Sequence, residues 1–233
     1  EVGQKEKLVE DYSLEMGGSC TIFACQAAKL GLVTAVIGKT GNDMFGDLVR
    51  STLEQAGVSL EYVLRVGNLK TGISVHMSAG DDRAILTYDS AIDAVGIGDV
   101  DEELLESTRH FHIGSYFLMK RMQPHYPDII RRLKANGATV RLDTNWDPGE
   151  TWDGGVHKVI PMVDIIFANE NEAMALTGES STEKAVRKLR EMVPVAALKR
   201  GKNGVSVYAG GKCCGSACHR CSEGGRRGSG RFF

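Results

Sequence analysis

Between Thr34 and Tyr208, short β-branched apolar runs alternate with longer stretches in which apolar residues recur at helical spacing. This order predicts βαβ units and an α/β fold with a mostly parallel sheet flanked by helices. The predicted strands are Val33 to Gly38, His110 to Gly114, Thr139 to Asp143, Asp164 to Ala168 and Val195 to Lys199. Two helices have clear stripes and stops. Leu48, Val49, Leu53 and Ala56 are followed by Gly57, and Tyr126, Ile129, Ile130 and Leu133 by Gly137. Residues 61–90 break the rhythm with the consecutive strand-like runs YVLRV, TGISVHMSA and AILTYD. They predict an antiparallel insertion with a hairpin turn at Gly80 to Asp82, placed to act as a lid over the strand ends.

Composition changes this picture only at the C-terminus. KCCGSACHRCSEGGRRGSGRFF, residues 212–233, holds four Cys, five Gly and four Arg and no Val, Ile, Leu or Met, so residues 1–211 are expected to be the folded part and 212–233 a disordered tail. The chain has 233 residues, 42% apolar and 25% charged, which excludes collagen-like, coiled-coil and wholly disordered classes. A formal charge of −2 gives no electrostatic reason to expect nucleic acid or an anionic membrane as partner. No apolar run is long enough to span a membrane, and EVGQKEKLVE is too charged for a signal peptide, so a cytoplasmic protein is expected. The chain starts without Met, so its natural N-terminus is expected to lie upstream.

Candidate chemistry collects at the ends of the predicted strands, where open α/β sheets bind ligands. Gly38-Lys39-Thr40 resembles the end of a phosphate loop, but the tight cradle needs Gly at position 33, which is Val33, and that reading is rejected. Gly38, Gly41, Asp43 and Gly46 remain as a glycine-rich strand-to-helix turn with Asp43 available as a cap. Gly17 and Gly18 precede a helical stretch whose first N–H groups are free for a hydroxyl or an anion, or else serve packing. In LDTNWDP, Asp143, Asn145 and Asp147 offer three short polar side chains for sugar hydroxyls or a metal, or an Asx turn before Pro148. Asn169, Glu170 and Glu172 follow the next strand, either as hosts for hydrated Mg²⁺ or as acids favoured at a helix start. Lys199 to Gly204 is a basic, glycine-punctuated turn. His110 and His112 share a strand face without a third metal ligand nearby, and Cys213, Cys214, Cys218 and Cys221 are spaced too closely for a zinc knuckle.

Taken in order, these motifs resemble the ribokinase-like (PfkB-type) carbohydrate kinases from about Leu14 to Gly211. GGSCTIFACQAAKLGLVTAVIGKTGNDMFG is similar to the family's first signature, TGISVHM to its lid strand, LDTNWDP to its sugar-side loop, ANENEAMALTG to its N-x-x-E motif and LKRGKNGV to its nucleotide-side turn. The resemblance implies a ribokinase-like fold and transfer of phosphate from ATP, with Mg²⁺, to a hydroxyl of a sugar or sugar acid. It implies that Gly17, Gly18, Asp143 and Asn145 lie near the sugar, that Asn169 and Glu172 organise Mg²⁺, that Lys199, Gly201 and Gly204 flank the nucleotide, and that Thr71 and Gly72 belong to a lid able to pair two subunits. A nucleoside kinase of the same fold and a non-catalytic sugar- or nucleotide-binding protein are the alternatives.

Four departures qualify the resemblance. Ile22 stands where many members have a sugar-binding Asn, and Asp147 where an Arg is common. The family's opening strand is expected before Glu1. The glycine-rich G-A-G-D segment, whose Asp is the family's general base, is absent, so no catalytic residue is assigned and the chain is expected to be inactive. Back-translated and read one base later, Gly225 to Phe233 permits Val-Asp-Val-Gly-Ala-Gly-Asp-Ser, which points to a reading-frame slip near Lys212.

Overall fold

The computed structural model describes residues 6, 8–79, 82–210 and 212–216. Its centre is a six-stranded sheet in the order β10-β9-β8-β7-β6-β5. Strands β5 (His110–Gly114), β6 (Thr139–Asp143), β7 (Ile165–Asn169) and β8 (Val195–Lys199) run parallel; β9 (Val205–Ala209) is antiparallel to β8, and β10 (Lys212–Ser216) antiparallel to β9. The parallel strands are separated by helices because each helical stretch buries one stripe. In α4 (Tyr126–Ala135) the stripe Tyr126, Ile129, Ile130 and Leu133 is fully buried, and Gly137 takes φ 79 just past the end. These four residues pack with Val140, Leu142, Ile166 and Leu198 of the sheet and with Leu189 of α7 (Thr182–Met192) in one apolar cluster. Each Leu or Ile so buried contributes about 1.5–3 kcal/mol.

The N-terminal part forms a second, smaller cluster around Leu53, Val58 and Val63, packed between α1 (Ser19–Lys29), α2 (Met44–Gln55) and the two-stranded parallel ladder of β1 (Gly38–Gly41) and β2 (Val63–Val66). The expected strand at Val33 to Gly38 is displaced: Val33 is fully exposed, and the ladder proper begins only at Gly38. Ala35 does bridge Ser59, but the turn that joins Val63 N–H to the Leu60 carbonyl interrupts the pairing before it can continue. Lys39, the residue of the rejected phosphate loop, is instead half-buried in an ion pair with Asp99 at 2.6 Å and donates to the Ala94 carbonyl at 3.0 Å.

The insertion is smaller than expected. Val63–Val66 is not a lid strand but the parallel partner of β1, leaving an antiparallel hairpin of β3 (Ile73–Ala79) and β4 (Asp82–Tyr88). The proposed turn at Gly80 and Asp81 lies outside the described residues. At the foot of the hairpin, Thr71 is tied to the start of α2: Asp43 caps the helix by accepting from Gly46 N–H at 2.8 Å and also accepts from the Thr71 hydroxyl at 2.7 Å and N–H at 2.8 Å, while Gly41 N–H donates to the Thr71 hydroxyl. A Cβ on Gly41 would lie 2.6 Å from the Leu69 carbonyl oxygen and one on Gly46 2.4 Å from the Gly41 carbonyl oxygen, so this knot requires both glycines.

The expected end of the folded part also moves. Lys212–Ser216, assigned to the tail, pairs with β9 in register as the sheet's edge strand. Residues 212–215 are exposed on that edge, so the strand forms through backbone pairing and needs no buried apolar side chains. Cys218, Cys221 and the remaining tail lie outside the described residues, while Cys213 and Cys214 are exposed free thiols.

Candidate active site

Four adjacent parallel strands end side by side, and the residues at those ends are joined in one line of polar contacts. Gly114 pairs with Asp143, Asp143 with Phe167, and Asn169 with Lys199, so side chains from β5 to β8 arrive at a common edge. Asn145, two residues past β6, adopts φ 56 and accepts from Ser115 N–H through Oδ1 at 3.3 Å. Ser115 also sits in the left-handed region, φ 54, and its hydroxyl is 2.8 Å from that of Ser19 in the first turn of α1. Gly18, at φ 86, is the residue from which α1 starts, and a Cβ there would lie 2.7 Å from the Thr21 hydroxyl. Gly17 and Gly18 directly precede Ser19 at the head of α1.

From Asn145 the line continues to the sheet centre. Asn145 N–H donates to Asp143 Oδ1 at 3.3 Å, and the Lys199 ammonium donates to both Asp143 oxygens at 3.0 and 3.2 Å. Lys199 Nζ is also 3.8 Å from Glu172 Oε2. Glu172 is buried, and with Asn169 it forms a reciprocal capping box at the start of α6 (Glu170–Thr177): Asn169 N–H donates to Glu172 Oε2 and Glu172 N–H to Asn169 Oδ1, both at 2.8 Å. Burial raises the Glu172 pKa above the usual carboxylate range; Lys199 and the Asn169 N–H oppose this, and Asp143 adds to it. One ammonium therefore holds two carboxylates that would otherwise repel. The sequence motif N-x-x-E reads equally as a helix cap and as a ligand pair, and here the cap is formed.

Beyond Lys199 the chain turns through Gly201–Asn203, with Gly201 at φ 53 and Gly204 at φ 84, and Arg200 N–H donates to the Gly204 carbonyl at 2.8 Å. The turn projects from the same strand end as Lys199. Arg200 reaches back toward Glu170 at 3.4 Å.

Not every expected residue joins this line. Asp147 is buried and organises its own loop, accepting from Gly149, Thr151 and Trp152 N–H and from the Thr151 hydroxyl at 2.8–3.0 Å; these N–H bonds hold its pKa low against the opposing effect of burial. Thr71 serves the Asp43 knot, and a Cβ on Gly72 would lie 2.6 Å from Ile92, so Gly72 is a packing position. Of the two histidines, His110 is exposed while His112 stacks on Phe23 at 4.3 Å, its Nδ1 without a hydrogen-bond partner; burial lowers its pKa to about 4. No group of three His, Cys, Asp or Glu side chains is placed to hold a metal unaided among the described residues.

Sequence reasoning missed Ser115, the hub that ties α1 to the β6 loop. Its signal was positional: Gly114-Ser115 falls at a strand's carboxyl end, where ligand-facing residues collect. Two surface cavities, of about 500 and 300 Å³, lie elsewhere, against α7 and β9, where both are lined by Arg187, Arg190 and Tyr208.

The chain matches the model of the pfkB family of carbohydrate kinases over residues 2–220. It is 28% identical over 194 residues to an ATP-dependent ribose-1-phosphate kinase of Halopiger xanaduensis, covering 82% of this chain and 62% of that protein. It is 26% identical over 203 residues to a probable fructokinase-5 of Arabidopsis thaliana, covering 82% and 63%. The chain thus spans somewhat over six-tenths of the length of these curated relatives. Among solved structures, an Escherichia coli protein described as a ribokinase II, in complex with ATP and Mg²⁺, superposes with a TM-score of 0.77 at 26% identity, covering 95% of this chain and 75% of the other.

Proposed function

The chain belongs to the pfkB family of carbohydrate kinases, and from that premise we propose that its strand-end line is the place where a sugar hydroxyl and the γ-phosphate of ATP are brought together. The observation that supports this most is the unbroken sequence of contacts Ser19–Ser115–Asn145–Asp143–Lys199–Glu172 across four neighbouring strand ends. Hydroxyl-binding groups (Asn145, Asp143, with Gly17 and Gly18 at the head of α1) stand at one end. The acidic cap Asn169–Glu172 and the turn Gly201 to Gly204 stand at the other. Lys199 stands between them, where phosphate would pass.

The donor set suits Mg²⁺, which takes hard oxygen ligands and is held by one or two carboxylates with waters and phosphate oxygens completing its shell. Glu172 and Asn169 would hold it. When bound it neutralises charge developing on the transferring phosphate. The residues themselves position: Lys199 keeps Asp143 turned toward Asn145, and the Ser115 N–H fixes the Asn145 amide. Phosphoryl transfer depends on such positioning more than on covalent help. The β3–β4 hairpin, anchored through Thr71 and Gly72, is read as the lid, with its exposed Val75 and Leu86 as a surface for a second subunit.

Thermal stabilisation tests the reading. The purified chain is titrated with Mg²⁺-ATP and separately with ribose, fructose, 2-keto-3-deoxygluconate and adenosine. Stabilisation by Mg²⁺-ATP and by one of the sugars is expected. Stabilisation by adenosine but by no sugar would favour a nucleoside kinase, and no response to any of them would defeat the proposal.

A further inference from the structure

The loop that follows Asn145 contains an aromatic group that the phosphoryl-transfer reading leaves unused. Trp146 is 46% exposed, although an indole is among the largest apolar surfaces a side chain can bury. Its ring is nonetheless held. Trp152 meets it edge-to-face, with centroids 4.9 Å apart and planes at 89°, and Trp152 is in turn edge-to-face with the buried Phe117 at 5.4 Å and 81°. The backbone behind this pair is fixed by Asp147, whose carboxylate accepts from Gly149, Thr151 and Trp152 N–H. Asn145, Glu150 and Trp152 all adopt φ between 52 and 56. Three non-glycine residues in the left-handed region within eight positions are costly and persist where surrounding structure over-determines them, as at ligand clamps. Trp146 thus leaves nearly half of its surface open to solvent while Trp152 holds its ring, and it follows Asn145 directly in the chain.

We propose that Trp146 is the platform on which a sugar ring rests by its C–H face, its hydroxyls reaching Asn145 and Asp143. The proposal rests on the carbohydrate reading above and names the part of the substrate that the loop recognises. The face of an indole is electron-rich, and the C–H bonds along one side of a sugar ring are polarised toward positive hydrogen, so the two surfaces attract beyond simple burial. Hydroxyls at the ring edge stay available for an amide and a carboxylate. A flat π-face and two acceptors one to three residues apart therefore match the two-sided chemistry of a polyhydroxylated ring.

The test uses the whole chain and the probes ribose, fructose and 2-keto-3-deoxygluconate, with Mg²⁺-ATP and adenosine as controls. Trp146→Ala is expected to weaken the sugar that binds the native chain at least ~5-fold and Trp146→Phe by less than half as much, with Mg²⁺-ATP affinity unchanged in both. The chain has two tryptophans, so in Trp152→Phe the emission comes from Trp146 alone and shifts to shorter wavelength when the sugar displaces water from its face. Sugar affinity unaltered in Trp146→Ala overturns the platform while leaving the carbohydrate reading intact. A loss that falls on adenosine and not on a sugar overturns it in favour of base stacking. Absence of any sugar binding by the native chain removes the carbohydrate reading and the platform together.

Discussion

Replacing Lys199 with Met examines the balance on which the strand-end line depends. The substitution keeps the aliphatic volume and deletes the ammonium that lies 3.0 and 3.2 Å from Asp143 and 3.8 Å from Glu172. Glu172 has only 6% of its side chain exposed, while Lys199 has 24% and Asp143 18%. Removing one partner of a buried ion pair costs about 3–5 kcal/mol; the partial exposure of Lys199 and Asp143 sets the expectation at the lower limit, about 3 kcal/mol near pH 8. For a chain of this size that is a fall of about 6–12 °C in Tm. The pH dependence carries the diagnosis. Glu172 already has a pKa raised above its unfolded value by burial, and loss of Lys199 raises it further. A carboxyl with a raised folded pKa destabilises its ionised form, so the penalty is small below the unfolded pKa and grows as pH rises through the folded one. Urea unfolding at pH 5 and pH 8 should therefore show the variant losing more at pH 8, and Lys199→Met with Glu172→Gln should recover much of the loss. A loss equal at both pH values and unchanged by Glu172→Gln would refute the argument that Lys199 offsets two facing carboxylates.

Three further expectations follow from the same structure. The His112 pKa of about 4 against an ordinary 6.5 corresponds to about 3 kcal/mol of stability that is present above pH 6.5 and lost as pH falls toward 4, so the stability difference between native chain and His112→Phe should change by about that amount between pH 7.5 and 4; a constant difference would place the histidine outside the buried surroundings described. Gly46→Ala puts a Cβ 2.4 Å from the Gly41 carbonyl oxygen and should cost about 1–3 kcal/mol in urea unfolding, whereas Gly57→Ala, with open space but φ 82, should cost about 1 kcal/mol. Resequencing codons 205–233 should reveal a slipped frame near Lys212: one base later, Cys213-Cys214-Gly215 can encode only Val or Ala at two successive positions, residues suited to the edge strand β10; independent reads confirming the present frame would dismiss the slip.

How far the sequence could be read depended on how local each determinant is. The α4 stripe and its closing Gly137 are local, and so is the Asn169–Glu172 box, a four-residue signal; both are in place. Gly38–Gly41 has little intrinsic strand preference and becomes a strand because β2 pairs with it and the Asp43–Thr71 knot holds its end, contacts set by residues up to 30 positions away. Ser115 was hidden for the same reason, since its partners lie 96 and 30 residues distant in the chain. As a short acid after a strand, Asp147 suits a ligand role or an Asx turn equally; only the convergence of three N–H groups on its carboxylate decides for the turn. β10 could not be read from apolar pattern because an edge strand is held by its backbone.

Mg²⁺ and nucleotide are proposed to assemble on the acidic cap at the strand ends. Calorimetric titration of ATP with and without Mg²⁺, into the native chain and into Glu172→Gln, tests it most directly. Mg²⁺ is expected to tighten ATP binding in the native chain, and Glu172→Gln to remove most of this gain while leaving metal-free binding unchanged. Equal affinities with and without Mg²⁺ in the native chain, or a Mg²⁺ gain undiminished in Glu172→Gln, would contradict it.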